Sequence, residues 1–427
     1  MMVTRRHFVG TIAAATSLAA MGLRAQTRSI TFVGWSPEEA ASRPTIAALF
    51  DGYRTSTGNK LDVIGFPWAQ MQQNVLLRMR SGQPLDIVQL AERWLPQFGA
   101  TGRLADMSQV FGKAQLQKQI SPGVLALGEY RGKQLGLPWT AGSIGMVANA
   151  KVLHDAGVSD VPKSVEAFVA ALRSVKKANP ESVPYAMCSK NNNTLSPDFQ
   201  VWLWTFGGRL FDEKGKVAVN SPASVRALTF MSDLIKEGLA AKDIDRPDAR
   251  RMFAQHQSGF YNDAPLARGF ARSNSGQGDK FDSFVIAMPT PVMRAADTPR
   301  SLAWGHLLTI FGDGKTPIDA QSAQAKLLAY LVLNDDAQLQ YYRDIGLFPV
   351  TNSALAKLAS DPYVSTWSKS ARTALKDETS YWGNAAELTT IVGEEVQAAL
   401  LAQKSPAAAI ESMAKRLEAG TAGTMRL

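Results

Sequence analysis

Apolar residues recur along this chain in two alternating rhythms. In "SPEEAASRPTIAALFDGYRTSTGNK", Ile46, Leu49, Phe50 and Tyr53 fall at i, i+3, i+4 and i+7. Pro44 suits a first turn and Gly58 a stop, so the stretch predicts a helix. The β-rich run "SITFVGW", ending at Trp35, precedes it. "KLDVIGF", a helical stretch through "QMQQNVLLRMRSG" and "PLDIVQL" follow. Strand, helix, strand, helix, strand at this spacing predicts a mainly parallel, doubly wound α/β sheet.

The rhythm continues further on. Ser164 is placed to cap a helix whose Val165, Phe168, Leu172 and Val175 share one face. Ser221, Pro222 and Gly238 mark the start and stop of another. "SGFYNDA" and "FDSFVIAMPTPV" read as short strands, and "SLAWGHLLTIF" as a further apolar run. The remainder reads as helical apart from the extended "DIGLFPV".

Three stretches, 135–147, 284–293 and 344–351, mix strand character with Pro, Gly or Trp. In "GKQLGLPWTAGSIGMVANAKVL", Pro138 has no N–H for a ladder and argues against one central strand. We read these stretches as crossings between two domains, the number that 427 residues suggest. Three crossings form a hinge about which two α/β lobes close on a ligand. That reading sets Trp139 at the mouth between the lobes, so its truncation should weaken binding without unfolding the chain.

Composition narrows the class. With 45% hydrophobic and 19% charged residues, the chain is of the folded, soluble kind. Residues 1–25 read as an export leader: Arg5 and Arg6 precede an alanine-rich run, and Ala25 suits cleavage. "TRRHF" resembles the twin-arginine signal, which carries folded proteins to the periplasm. Cys188 is the only cysteine, which excludes an internal disulfide and, this far from the leader, an N-terminal lipid anchor. The net charge of +9 falls to +6 once Arg5, Arg6 and Arg24 leave. That excess is scattered: "VKK" at 175–177 and "RR" at 250–251 read as solvated pairs, so nucleic acid is not an expected partner.

These landmarks resemble, in order, the sugar-binding family of ABC-transporter solute-binding proteins, the one that includes maltose-binding protein. The resemblance rests on "RSGQPLDIVQL…GATGRLADMS", "GKQLGLPWTAGSIGMVANAKVLHDAGVSDVPKSVEAF", "FGGRLFDEKGKVAVNSPASVRALTFMSDLIKEG", "MFAQHQSGFYND" and "YYRDIGLFPVTNSAL". It implies a two-lobe periplasmic binding protein fold, type II-like, with two doubly wound sheets joined by a three-segment hinge. It places the N-lobe at 28–140 and 291–346, and the C-lobe at 141–290 and 347–427. The implied protein is a periplasmic monomer that carries a mono- or oligosaccharide to ABC permease subunits in the inner membrane. No reaction, metal or cofactor is implied.

A sugar packs its C–H faces on aromatic rings and offers its hydroxyls to planar polar groups. Ligands on open α/β sheets bind at the carboxyl ends of strands. Trp35, Trp68, Trp94, Trp139, Trp202 and Trp304 are therefore the candidate platforms. Ser36, Gln70, Glu92, Arg93, Thr140, Asn262, Asp263, His306 and Arg343 are the candidate polar contacts. Pro265 and Leu266 stand where the family often has an aromatic.

Other cargoes remain open at this stage, namely a polyol or a glycerol phosphate ester. The adjacent Tyr341 and Tyr342 resemble the iron-holding pair of ferric-ion-binding proteins, although one packed and one solvated tyrosine is the plainer reading. An exported carbohydrate-active enzyme is the alternative class. A metal hydrolase is disfavoured, because the four histidines show no HExxH spacing. "GKT" at 314–316 imitates the end of a phosphate-binding loop, but Thr309 stands where its first glycine belongs.

Overall fold

The computed structural model describes residues 29–192 and 194–426, so the leader at 1–25 lies outside the described residues. Its strands are β1 (Ile30–Gly34), β2 (Leu61–Gly65), β3 (Ile87–Ala91), β4 (Glu129–Tyr130), β5 (Lys133–Gln134), β6 (Leu137–Asn149), β7 (Tyr185–Ala186), β8 (Phe260–Asp263), β9 (Val285–Met288) and β10 (Leu302–Ile310). β4 and β5 form a separate hairpin. The others make one continuous sheet in the order β2-β1-β3-β10-β6-β8-β7, with β9 also on β6.

β1 pairs in parallel with both β2 and β3, the predicted wound arrangement. β10 then runs antiparallel between β3 and β6. The two expected sheets meet in one strand, β6. Its first part, to Ile144, pairs with β10, and from Gly145 onward it pairs with β8 and β9.

Pro138 lies inside β6, contrary to the expectation that it would interrupt a strand. It is the second residue, has a strand neighbour on one side only, and faces a register shift between His306 and Leu307. Strand starts, edges and bulges are the places where a missing N–H is tolerated.

The helices follow the expected punctuation. Ser164 Oγ accepts from the Ala167 N–H and Ser221 Oγ from the Ser224 N–H. Gly58 closes the first helix, Arg43–Thr57, at a φ of 70°. The stretch around Ile345 is tightly seated: a Cβ on Gly269 would lie 1.9 Å from the Ile345 carbonyl oxygen. Among the described residues, no helix is long and apolar enough to cross a membrane.

Trp139 is not at a mouth. It is fully buried in the N-lobe core, stacked on Tyr341 at 4.5 Å and edge-on to Phe32 at 6.2 Å. Alternation along β6 turns it into the core as surely as its neighbour Leu137. Trp139→Ala is therefore expected to cost about 3–5 kcal/mol of stability, read from urea unfolding. A small change in stability together with a large loss of ligand affinity would contradict this placement.

Candidate functional site

The carboxyl ends of β1 and β3 lie side by side, and the antiparallel β10 brings His306 opposite Ala91 at the end of β3. Residues that follow these strands therefore converge without being close in sequence. Trp35 directly follows β1, and Glu92, Arg93 and Trp94 form a single 3₁₀ turn directly after β3. Trp68 opens the helix Trp68–Arg80 beyond β2.

The result is an aromatic cluster. Trp35 stands edge-on to Trp68 at 4.7 Å, to Trp94 at 5.9 Å and to His306 at 4.6 Å. Trp68 stacks on Trp94 at 4.8 Å, and Trp304 meets His306 at 4.5 Å. The Arg93 guanidinium lies 5.2 Å and 5.7 Å from the ring centres of Trp68 and Trp94, within cation–π range. Glu92 is 3.8 Å from Arg93 and accepts the Gly305 N–H at 3.0 Å, which holds β10 against the turn.

Gln89, inside β3, organises the polar side. Its amide oxygen accepts the Ser36 N–H at 3.1 Å, and its amide nitrogen donates to Ser36 Oγ at 2.8 Å. The same nitrogen lies 3.3 Å from His306 Nδ1. Burial, reinforced by Arg93 and Arg250, holds His306 well below the usual imidazole range, so the ring is neutral. A neutral ring leaves Nδ1 free to accept from Gln89. Ser36 Oγ also meets Tyr341 OH at 3.1 Å.

The C-lobe supplies a wall of paired charges. Arg246 and Arg250 lie four residues apart in the helix Arg246–Ala254. Arg246 grips the Asp198 carboxylate at 2.7 and 2.8 Å, and Arg250 grips Asp263 at 2.8 and 3.1 Å. The "RR" at 250–251 is thus not a solvated pair: Arg251 is exposed, while the Arg250 side chain is only 11% exposed. Burial pushes Asp263 up, but Arg250 and Arg246 outweigh it and hold the carboxyl below its usual range.

Glu39, half-buried just after β1, faces this wall from the N-lobe. Burial and the nearby Asp263 outweigh the pull of Arg250 and raise Glu39 to about 7. Several buried polar atoms here have no hydrogen-bond partner among the described residues: Asn262 Nδ2, Thr140 Oγ1 and Asp377 Oδ2. Such groups are costly unless something satisfies them.

The structure thus brings together Trp35, Ser36, Trp68, Glu92, Arg93, Trp94, Trp304 and His306. Thr140 joins them as the register partner of His306. Asn262 and Asp263 end β8 on the facing wall. Gly142, Pro265 and Trp304 meet nearby, since a Cβ on Gly142 would lie 3.0 Å from Pro265 and 3.8 Å from the Trp304 ring.

Four candidates sit elsewhere. Trp139 is in the N-lobe core. Trp202 is in the C-lobe core, 4.8 Å from Phe230, and donates to Tyr185 OH at 3.1 Å. That hydroxyl donates to Asn262 Oδ1, so Trp202 supports Asn262 from behind. Gln70 is exposed in the first turn of its helix, and Arg343 is exposed at the end of the helix Asp335–Ile345. The two tyrosines diverge: Tyr341 is core, and Tyr342 donates to Asp361 at 3.0 Å.

Glu39, Gln89, Asp198, Arg246, Arg250 and Asp377 were not legible as site residues. The i, i+4 spacing of the two arginines was the one available signal, since it puts both on one helical face.

Residues 36–300 match the family of bacterial extracellular solute-binding proteins. A probable ABC transporter-binding protein of Deinococcus radiodurans is 24% identical over 66% of this chain and 67% of its own length. The maltotriose-binding protein of Pyrococcus abyssi is 22% identical over 66% of this chain but only 59% of its own. Among solved structures, a maltose-bound MalE3 of T. maritima superposes with a TM-score of 0.80 at 21% identity, covering 91% of this chain and 99% of that one. A solute-binding protein of Thermotoga lettingae bound to α-D-tagatose gives 0.81 at 19% identity, over 92% and 98%. The fold is the two-lobe one these proteins share. On the strength of the family match over most of its length, the chain belongs to the bacterial extracellular solute-binding proteins, a family of receptors and not of enzymes.

Proposed function

We propose that this protein is the sugar-capturing receptor of an ABC importer, binding a mono- or oligosaccharide between its lobes. The observation that carries the reading is the juxtaposition of the Trp35–Trp68–Trp94–Trp304 cluster with the Glu39, Arg250 and Asp263 wall. Ring faces suit sugar C–H surfaces, while carboxylates, amides and guanidinium groups suit hydroxyls. The relatives named for maltotriose and maltose support a carbohydrate over other solutes. A ligand touching both walls favours the form in which the lobes meet, by its differential affinity for that form. The permease subunits then engage that form, with the receptor acting as a monomer in the periplasm after twin-arginine export. N-lobe segments 28–140 and 291–346 and C-lobe segments 141–290 and 347–427 are the bodies that move.

A thermal-shift panel of residues 26–427 with mono-, di- and trisaccharides, polyols, sugar phosphates and ferric citrate tests this. A ligand at a hundredfold excess over Kd stabilises by about 2.7 kcal/mol. A shift confined to carbohydrates, with the compound recovered unchanged, is the expected result. A shift with polyols or ferric citrate alone, or consumption of the compound, overturns it. Trp94→Ala should weaken the responding sugar roughly tenfold to a hundredfold, about 1.4–2.8 kcal/mol, measured at a temperature where the variant, which also loses the packing of a buried tryptophan, is still folded.

The lobe contact also carries a pH dependence with a definite sign. Glu39 is raised to about 7 in the folded form, above its ordinary 4.5, so the fold favours its protonated state. Its contribution is complete below 4.5 and is lost as pH rises through 7. Ligand-free Glu39→Gln should therefore match wild type in Tm near pH 4.5 and exceed it at pH 8. Equal values at pH 8 would show that Glu39 is solvated when no ligand is bound.

A further inference from the structure

At the opposite end of β3 from the aromatic cluster, the N-lobe holds a second cavity of about 340 Å³. It lies among the loop 99–106, the β4–β5 hairpin and the loop 312–318 that leaves β10. Its volume is in the range of small-molecule sites.

The charge in its walls is one-sided. Arg103, Arg131, Lys133 and Lys315 all line it, against one acid, Asp106. Asp106 is already occupied: its Oδ1 accepts the N–H of Ser108 at 2.9 Å and of Gln134 at 3.3 Å. None of the four cations forms an ion pair among the described residues. Arg103 donates to the Gly312 carbonyl at 3.1 Å, and Arg131 lies 5.3 Å from the Tyr130 ring centre.

The "GKT" turn explains why Lys315 points into this space without making a nucleotide loop. Asp313 accepts the N–H of Lys315 and of Thr316 and the Thr316 hydroxyl, each at 2.7 Å. Those two amides are therefore not free to cradle a phosphate, and Lys315 lines the cavity beside them. Gly314, at φ 75°, fixes the turn against the neighbouring loop, because a Cβ there would lie 2.2 Å from the Gly102 carbonyl oxygen. Tyr130, 8% exposed, lines the same cavity, and its buried hydroxyl has no hydrogen-bond partner among the described residues. Leu104, Leu135 and Ile318 give the remaining wall an apolar character.

We propose that this cavity is a second binding site, separate from the sugar cleft, for a phosphate monoester carried on a carbon body. Several unneutralised cations around one concavity match a dianion with three acceptor oxygens better than a single carboxylate. The Tyr130 hydroxyl donates to one oxygen, and Leu104 and Ile318 receive the carbon body. A free ester and the headgroup of an anionic lipid share this chemistry.

The test is calorimetric titration of residues 26–427 with glycerol 3-phosphate, alongside co-sedimentation with phosphatidylcholine vesicles with and without phosphatidic acid. Binding to either probe should fall at least tenfold in Lys133→Glu/Lys315→Glu, two exposed positions, with the unfolding midpoint unchanged. Should that variant lose stability, Lys133→Gln/Lys315→Gln reads the same loss. Tyr130→Phe should weaken binding roughly tenfold through one charge-assisted hydrogen bond. Trp94→Ala, in the cleft, should leave it intact. Response to the soluble ester alone or to the vesicles alone identifies the source. No binding to either probe overturns the site, as does binding that survives the lysine changes or is lost with Trp94→Ala.

Discussion

The thirteen residues of β6 belong to two sheets at once, and the rest of the molecule is arranged around that fact. Leu137 to Ile144 are bound to β10, and Gly145 to Asn149 to β8 and β9. The ladder on each half binds it to different strands, and the change of partners falls between Ile144 and Gly145. Gly142 and Gly145 stand near that change, and a Cβ on them would lie 3.0 Å from Pro265 and 3.2 Å from the Trp367 ring. The same strand supplies Thr140 to the site and Trp139 to the core from adjacent positions.

The site is built where polar and apolar requirements meet at the carboxyl ends of β1 and β3. The tryptophans there pack on one another and on His306, and Trp35, Trp94 and Trp304 are buried, so their rings are held in place. Gln89 fixes Ser36 and His306 from behind, and Trp202 and Tyr185 fix Asn262 in the same way. A buried amide costs free energy unless its partners are present, so these networks specify one arrangement. Opposite them, two arginine–carboxylate pairs offer charge already balanced. A neutral, hydroxyl-rich ligand can bond to such pairs without leaving a net charge buried.

Much of the frame was readable from local chemistry. Pro44, Gly58, Ser164 and Ser221 marked helix ends because caps and breakers act within a turn of their own position. The run from Ser29 to Leu90 showed its strands by β-branched content and spacing. Trp35, Glu92, Arg93 and Trp94 were placed at strand ends by sequence because a strand's carboxyl end is itself legible. Pro138 misled, since the bulge that tolerates it depends on β10, some 165 residues later in the chain.

Sequence by itself determined the wound α/β character, the helix boundaries and the family resemblance, all properties of short segments or of their succession. Tertiary structure alone decided which face each side chain turned to. Trp139 and Trp304 read alike as tryptophans beside crossings, yet one stacks on Tyr341 in the core and the other meets His306 at the site. Glu38 and Glu39 are adjacent in the chain, but Glu38 is exposed beside Arg43 while Glu39 is set against Arg250 and Asp263. Electrostatic and packing partners come from segments hundreds of residues apart, and no local pattern encodes a contact made only when two lobes meet.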